Sequence, residues 1–404
     1  MCLKLLLLAC VGLGERIPKV EEVFIIGDLH ADIHCAKHWV RRSGYVDLDA
    51  WTWTGGASAL VFMGDYVDRG PFSRQVLELV RNLTTSFPEK VFALMGNHDL
   101  YFLADAVLPQ GARDLMGAPV QDFSYAFIHP EEYLNWILPG EQAEASSKLS
   151  TLFAALGEVY AQQRRKRGPV PVMLKEEFGQ MSIFDFAPLR HNATLSNALN
   201  QSLHFWQRRL ARGMRDSGLA RWLAERPFAV ELAGALFVHG GLPGKTTREQ
   251  LDMLGPLGDG DFSELFSSGR LDLLHEAVTY RGLHGAAGCS EVDKVLDLLP
   301  DIEMIVLGHT PGEEVRRSCG NRLVSADSAL SRYYRAYGNH YCPVQVAAER
   351  KGACRRTVAK QCAGQASRLR GGQLTPVPSE PNPYEASAKR KAGRLISEAN
   401  AEEL

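Results

Sequence analysis

The 404-residue sequence predicts an α/β protein. Five short, continuously apolar runs have the length and character of strands buried on both faces. Each run stops at a glycine beside an Asp, Asn or His. Helical apolar spacing fills the segments between them, and a composition of 45% hydrophobic and 23% charged residues supplies an ample core.

The runs come in order. Val23-Phe24-Ile25-Ile26 leads into Gly27-Asp28, and Ala59-Leu60-Val61-Phe62-Met63 into Gly64-Asp65. Val91-Phe92-Ala93-Leu94-Met95 leads into Gly96-Asn97. Ala235-Leu236-Phe237-Val238 leads into His239-Gly240-Gly241, and Met304-Ile305-Val306-Leu307 into Gly308-His309. In open α/β sheets ligands bind beyond the carboxyl ends of strands, where glycine permits sharp turns and close approach. One such run means little; five with metal-type side chains at the same place read as one site.

Between the second and third runs, Pro71 to Leu83 carries a helical stripe at Val76, Leu79, Val80 and Leu83. The region from about 104 to 230 holds amphipathic stretches, including Leu203 to Leu210 and Gly218 to Glu225, and predicts a mostly helical insertion beside the site. Its basic run, Arg164 to Arg167, reads as a solvated loop, or as a dock for an acidic partner. Residues 364–404 are rich in Gly, Pro, Ser, Lys and Arg and predict a disordered tail with a short helix near its end. Residues 1–20 place Lys4 before an apolar stretch and small residues, the pattern of a signal or targeting segment; a first buried element is the other reading. The location follows that choice, cytoplasmic or secretory/organellar. No stretch is long and apolar enough for a membrane span.

A net charge of −2 gives no reason to expect nucleic acid or an acidic membrane surface. Eight cysteines without a CxxC pair predict free thiols, with a Cys319–Cys342 bridge, or one within 342–362, as the alternative in a secreted protein.

Two-metal hydrolysis needs hard oxygen and imidazole ligands, one carboxylate able to bridge both ions, and donors for phosphate oxygens. The strand ends supply Asp28, His30 and Asp65 for one metal, and Asp65, Asn97, His239 and His309 for the other, with Asp65 as the bridge. Mixed Asp, Asn and His ligands suit Mn, Fe or Zn. His34 and His38, which continue the spacing of His30, read as ordinary helix histidines; Trp51 and Trp53 read as packing, and His284 as a loop residue beside Arg281.

The set Gly27-Asp28-Leu29-His30, Gly64-Asp65-Tyr66-Val67-Asp68-Arg69-Gly70, Gly96-Asn97-His98-Asp99, His239-Gly240-Gly241-Leu242 and Gly308-His309 resembles, in order and spacing, the motifs of PPP-type phosphatases in the calcineurin-like phosphoesterase superfamily. The long insertion and Tyr280-Arg281-Gly282 look most like the Shewanella-like, bacterial-type branch. The resemblance covers residues 20–345 and implies a catalytic domain over 21–345: a β-sandwich of two mixed sheets flanked by helices. It implies His98 as the general acid oriented by Asp68, Arg69 and Arg281 as phosphate clamps, and in-line attack by a hydroxide bridging two metal ions. The implied substrate is a phosphoprotein, on Ser/Thr or Tyr. Related sites cleave dinucleoside polyphosphates, and an inactive phosphoprotein-binding scaffold is the third reading. Ala31 and Asp99 depart from the family's usual Gly and Glu, and neither removes a ligand.

Overall fold

The computed structural model describes residues 20–107, 136, 208–257, 270–285, 287–312, 314–332, 362 and 364–379. The five apolar runs all form strands: β1 (Glu22–Ile26), β4 (Ala59–Phe62), β5 (Val91–Ala93), β7 (Ala235–Val238) and β8 (Met304–Leu307). A small hairpin, β2 (Val46–Asp47) and β3 (Thr52–Trp53), lies between β1 and β4 in sequence. Five further strands complete the sheets: β6 (Ala229–Leu232), β9 (Arg316–Ser318), β10 (Leu323–Ser325), β11 (Gln365–Arg370) and β12 (Gln373–Pro378).

Both main sheets are mixed and five-stranded. The first runs β12-β11-β1-β4-β5, parallel from β1 to β5 and antiparallel at β11 and β12. The second runs β6-β7-β8-β10-β9, parallel through β7, β8 and β10 with antiparallel edges.

Alternation explains the apolar runs. Val23 and Ile25 of β1, Val61 of β4, Phe237 of β7, Val306 of β8 and Val324 of β10 belong to one cluster that joins both sheets, the interior of the sandwich. Their neighbours Phe24, Ile26, Leu60, Phe62, Leu236, Val238, Ile305 and Leu307 join a second cluster with the helices outside. Each strand is therefore covered twice, and each fully buried side chain contributes roughly 1.5–3 kcal/mol.

The helices supply that cover. α1 (Ile33–Ser43) is capped by Asp32, whose carboxylate accepts from Cys35 N at 3.2 Å, and ends on Gly44 at φ 73°. α2 (Ser73–Ser86) buries Val76, Leu79, Val80 and Leu83, the stripe read from sequence. α3 (Asn97–Val107) starts inside the third motif. α4 (Leu219–Ala224) lies in the amphipathic stretch 218–225, and α5 (Arg248–Asp252) is closed by a capping box of Thr247 and Gln250. α6 (Arg270–Thr279) and α7 (Gly288–Leu296) flank a short 3-10 turn at Gly282–His284. No described helix is long and apolar enough to cross a membrane.

Two expectations are corrected. The tail from 364 is not disordered over 365–378: β11 pairs with β1, β12 pairs with β11, and Ala366, Leu369 and Leu374 are buried. The catalytic fold thus reaches past the expected boundary at 345. Polar residues dominate here because β12 is the edge of the sheet and β11 lies next to it. The free-thiol expectation fails for four cysteines, which form Cys35–Cys362 and Cys289–Cys319 disulfides. With Cys319 and Cys362 so engaged, neither the Cys319–Cys342 bridge nor one from Cys362 within 342–362 forms. The segment 1–19, the insertion between 108 and 207 apart from Trp136, the basic run 164–167 and the tail beyond 379 lie outside the described residues.

Candidate metal centre

The loops after β1, β4 and β5 of the first sheet and after β7 and β8 of the second meet at one rim. All six expected ligands lie there and are buried: Asp28, His30, Asp65, Asn97, His239 and His309. Backbone bonds fasten the first two loops, with Leu29 N and His30 N donating to Asp65 O at 3.1 and 2.9 Å and Ala31 N to Tyr66 O at 2.9 Å. Gly64, at φ 99°, packs so closely that an added Cβ would sit 2.6 Å from Gly96 N. A Cβ on Gly96 would collide with the Asp65 amide and carboxylate. Only glycine lets these loops touch backbone to backbone. His30, Ala31, Asp65, Asp68, Arg69 and His309 all adopt φ between 41° and 63°. Left-handed backbone in non-glycine residues costs about 1–2 kcal/mol each and concentrates where geometry serves a function.

Asp99 holds the turn together. Its Oδ2 accepts from Asp65 N at 2.6 Å and Gly96 N at 3.0 Å, and its Oδ1 accepts from Tyr66 N at 2.8 Å. The shorter side chain at this position reaches three backbone donors on two loops.

Three histidines share one arrangement. His239 Nδ1 lies 2.7 Å from Met63 O, His309 Nε2 3.1 Å from Thr279 O, and His30 Nδ1 3.3 Å from Val67 O. Each outer nitrogen donates to a backbone carbonyl, which leaves the lone pair on the inner nitrogen. His239 Nε2 then faces Asn97 Oδ1 at 3.1 Å and Asp65 Oδ1 at 3.3 Å; His309 Nδ1 faces Asn97 Oδ1 at 2.9 Å; His30 Nε2 lies 3.8 Å from Asp65 Oδ2. Lone pairs and carboxylate oxygens thus converge, the donor set that divalent cations require. The ligating atoms of Asp28, His30 and Asp65, and of Asp65, His239 and His309, lie within 4.8 Å of one another in each group. Asp65 belongs to both groups. These clusters suit divalent metal ions.

The charges agree with that reading. Burial pushes the Asp28 carboxyl well above the usual carboxylate range, and Asp327 and then Asp65 push it the same way, a repulsion that a cation would relieve. Burial works against the Asp65 charge too, but His239 and His98 outweigh it and hold Asp65 well below that range. Burial opposes the His239 proton while Asp65 favours it, and the net shift is upward. Burial, then Arg281, hold His309 well below its ordinary value. Burial pushes Asp99 up to about 8, with Asp65 next, against the pull of its backbone donors.

The other expected residues surround this centre. His98 Nδ1 is hydrogen-bonded to Asp68 Oδ2, while its Nε2 lies 3.9 Å from Asp65 Oδ2. The backbone N–H of His98 donates to Asp65 Oδ1 at 3.0 Å. His30, Asp68 and His98 form a third close group. Arg69 is buried beside them. Arg281 is exposed, and its Nη1 reaches Thr310 Oγ1, next to His309, at 3.5 Å. His34 and His38 do not join the centre: they lie on α1, against Phe72 and Trp39.

Sequence reasoning missed the segment after β10. Asp327 is fully buried against Asp28, and the missing side chain of Gly27 makes room for Ala326 and Asp327. Arg332 forms a bidentate ion pair with the buried cap Asp32, at 2.8 Å from both Nε and Nη2. A strand-end Asp was the available signal, but β10 lacks the long apolar run and the adjoining glycine of the others.

The family model of the calcineurin-like phosphoesterases matches residues 22–172. Shewanella-like protein phosphatase 2 of Arabidopsis thaliana is 20% identical over 334 residues, covering 79% of this chain and 74% of that protein. The serine/threonine-protein phosphatase 6 catalytic subunit of Caenorhabditis elegans is 34% identical over 83 residues, 20% of this chain and 22% of its own length. Among solved structures, a cold-active protein-tyrosine phosphatase of a psychrophilic Shewanella species is 15% identical with a TM-score of 0.49, covering 89% of this chain and 80% of that one. The matched segment carries four of the six ligand positions, and the two-sheet sandwich brings the remaining histidines to the same rim. Residues 22–172 thus match the calcineurin-like phosphoesterase family, and the protein-phosphatase relatives support a hydrolytic phosphatase.

Proposed function

We propose that the protein is a metal-dependent phosphoprotein phosphatase, hydrolysing phosphate monoesters on Ser/Thr or Tyr. The observation that carries this is the convergence of three imidazole nitrogens on Asp65 and Asn97, each fixed from behind by a carbonyl. One cation on Asp28, His30 and Asp65 and a second on Asp65, Asn97, His239 and His309, from Mn, Fe or Zn, would polarise phosphoryl oxygens and make a bound water acidic.

The chain's own residues do the rest. Asp68 accepts from His98 Nδ1 and so fixes the ring with Nε2 toward the centre, the position from which a proton reaches a leaving alkoxide. Its carboxylate stabilises the imidazolium that carries that proton. Arg69 and Arg281 would offer planar guanidinium forks to the phosphate oxygens. Burial of the ligands keeps competing water away and strengthens each of these interactions. A phosphoprotein substrate follows from the protein-phosphatase relatives and from a rim open beside Arg281.

The test is phosphate release from phosphoserine, phosphothreonine and phosphotyrosine peptides, beside a phosphodiester and a dinucleoside polyphosphate, with Mn added. Metal-dependent turnover of the peptides is expected, and the residue preferred is read from the same assay. Turnover of the dinucleoside polyphosphate alone would replace the phosphoprotein substrate, and silence on all of them would point to a binding scaffold.

A further inference from the structure

Two arginines meet at the rim. Arg281 Nη1 donates to Thr310 Oγ1 at 3.5 Å, while Arg316 Nη2 donates to Thr310 O at 2.8 Å and Pro311 O at 3.5 Å. Thr310 follows His309, so both guanidiniums stand one residue from the metal centre. Their neutral acceptors engage only one or two of the five N–H donors on each. Neither arginine has a carboxylate within 4 Å among the described residues, whereas Arg322, Arg332 and Arg368 sit on Asp293, Asp32 and Glu22.

Register explains how they meet. Arg316 of β9 pairs with Ser325 of β10, and Ser325 Oγ lies 3.5 Å from His284 Nδ1 in the turn that carries Arg281. His284 feels both cations: burial first, then Arg316 and Arg281, lower it to about 4. It therefore stays neutral and adds no charge of its own near pH 7. Arg317, the next residue, pairs with Val324, whose side chain belongs to the sandwich interior, so Arg317 stands on the other face of the ribbon. On its α6 side Arg281 borders an open cleft of about 620 Å³ that Asp272, His275 and Glu276 also line, with Glu276 paired to Lys245 at 3.5 Å.

We propose that Arg316, with Arg281, forms an anion-binding position beside the scissile phosphate that selects phosphopeptides bearing a second oxyanion, carboxylate or phosphate, next to the phosphorylated residue. The proposal rests on the phosphoprotein reading above and deepens it. A guanidinium with unused donors matches either oxyanion through paired N–H···O bonds. Because Arg316 stands on the Thr310 side of Arg281 while Asp272 lines the cleft on its α6 side, the selection is one-sided: an acidic residue before the phosphoresidue and one after it are treated differently.

The experiment compares kcat and KM for one phosphopeptide with neutral flanks, with Asp on either side, and with a second phosphate on either side. It uses wild type, Arg316→Gln and Arg317→Gln, each checked for retained folding by circular dichroism. The wild type should favour one acidic placement by roughly fivefold or more in kcat/KM, carried by KM and shrinking at high salt. Arg316→Gln should bring that ratio to about one, and Arg317→Gln, the same charge change on the same strand, should keep it. Whether Asp or only phosphate gives the preference identifies the oxyanion. Peptide hydrolysis without a charge preference, or a preference that survives Arg316→Gln, overturns the proposal alone. Hydrolysis of p-nitrophenyl phosphate with no peptide hydrolysed overturns the phosphoprotein reading and the proposal with it.

Discussion

The two sheets feed the metal centre unequally. Loops of the first sheet bring both carboxylates of the candidate ligand set, Asp28 and Asp65, together with Asn97 and the Asp68–His98 pair. Loops after β7 and β8 of the second sheet bring two imidazoles, His239 and His309, and the nearby Arg281 reaches Thr310. The first rim is also the strained one, with His30, Ala31, Asp65, Asp68 and Arg69 in left-handed backbone and the Asp99 carboxylate stitching two loops. In the second, His309 alone of the expected site residues adopts that conformation. The strained rim carries both carboxylates and the proposed proton donor His98; the other carries two imidazoles and Arg281. Variants of the two rims should therefore fail in different ways.

The largest effect belongs to the carboxylate shared by both ligand groups. Asp65→Asn should lower kcat by at least about a thousandfold, because a lost bridge removes several kcal/mol of transition-state stabilisation. His239→Ala, on the second rim, should lose metal affinity first, so excess Mn recovers part of its activity where it recovers none for Asp65→Asn. His98→Ala should cost about 10²–10⁴ in kcat on phosphoserine peptides. It should cost far less on p-nitrophenyl phosphate, whose leaving group departs without a proton. Equal losses on both substrates would remove His98 from proton transfer.

Asp99→Ala would leave three buried backbone N–H groups unpaired, at about 1–3 kcal/mol each, and should lower the thermal midpoint together with a 10–100-fold loss of metal affinity. Reduction of the Cys35–Cys362 bridge, which ties α1 to the segment before β11, should lower stability by about 2–5 kcal/mol while the ligand set stays in place.

A pH effect sharpens the contrast on the second rim. His284 binds its proton near pH 4 when folded and near 6.5 when unfolded. Between those values the unfolded state binds more protons, so stability falls as the pH drops from 6.5 toward 4. His284→Gln should unfold less steeply over that window than the wild type, measured by denaturant midpoints at several pH values. The smallest change expected is Ala31→Gly, which relieves a left-handed alanine at φ 54° and should stabilise by up to about 1 kcal/mol. Loss of stability there would show that the alanine's contacts outweigh its strain.

The same division runs through what the sequence disclosed. β1, β4, β5, β7 and β8 were legible because both faces of each are buried, which writes a continuous apolar run ending at a ligand. β9, with Arg316, Arg317 and Ser318 all exposed, and β12, with Pro376 and Pro378, are edges covered on one side at most, and their polar residues resemble a loop or a tail. β11 hides for a related reason: Ala366 and Leu369 are buried on opposite faces of the strand among Gln365, Ser367, Arg368 and Arg370, and only pairing with β1, over 330 residues earlier, reveals them. The convergence of the six candidate ligands was legible from motif spacing; Asp327 and the Asp32–Arg332 pair were not, since both depend on contacts across about 300 residues of chain. Cys35 and Cys362, 327 residues apart, left no spacing to read.

Metal content measured together with phosphatase activity tests the central claim most directly. Wild type and Asp65→Asn are loaded with Mn, freed of excess metal, and assayed for bound ions and for phosphate release. A shared Asp65 predicts about two ions per wild-type chain with metal-dependent turnover, and loss of both ions and turnover in the variant. Turnover by a metal-free wild type, or full metal content and activity in Asp65→Asn, would contradict it.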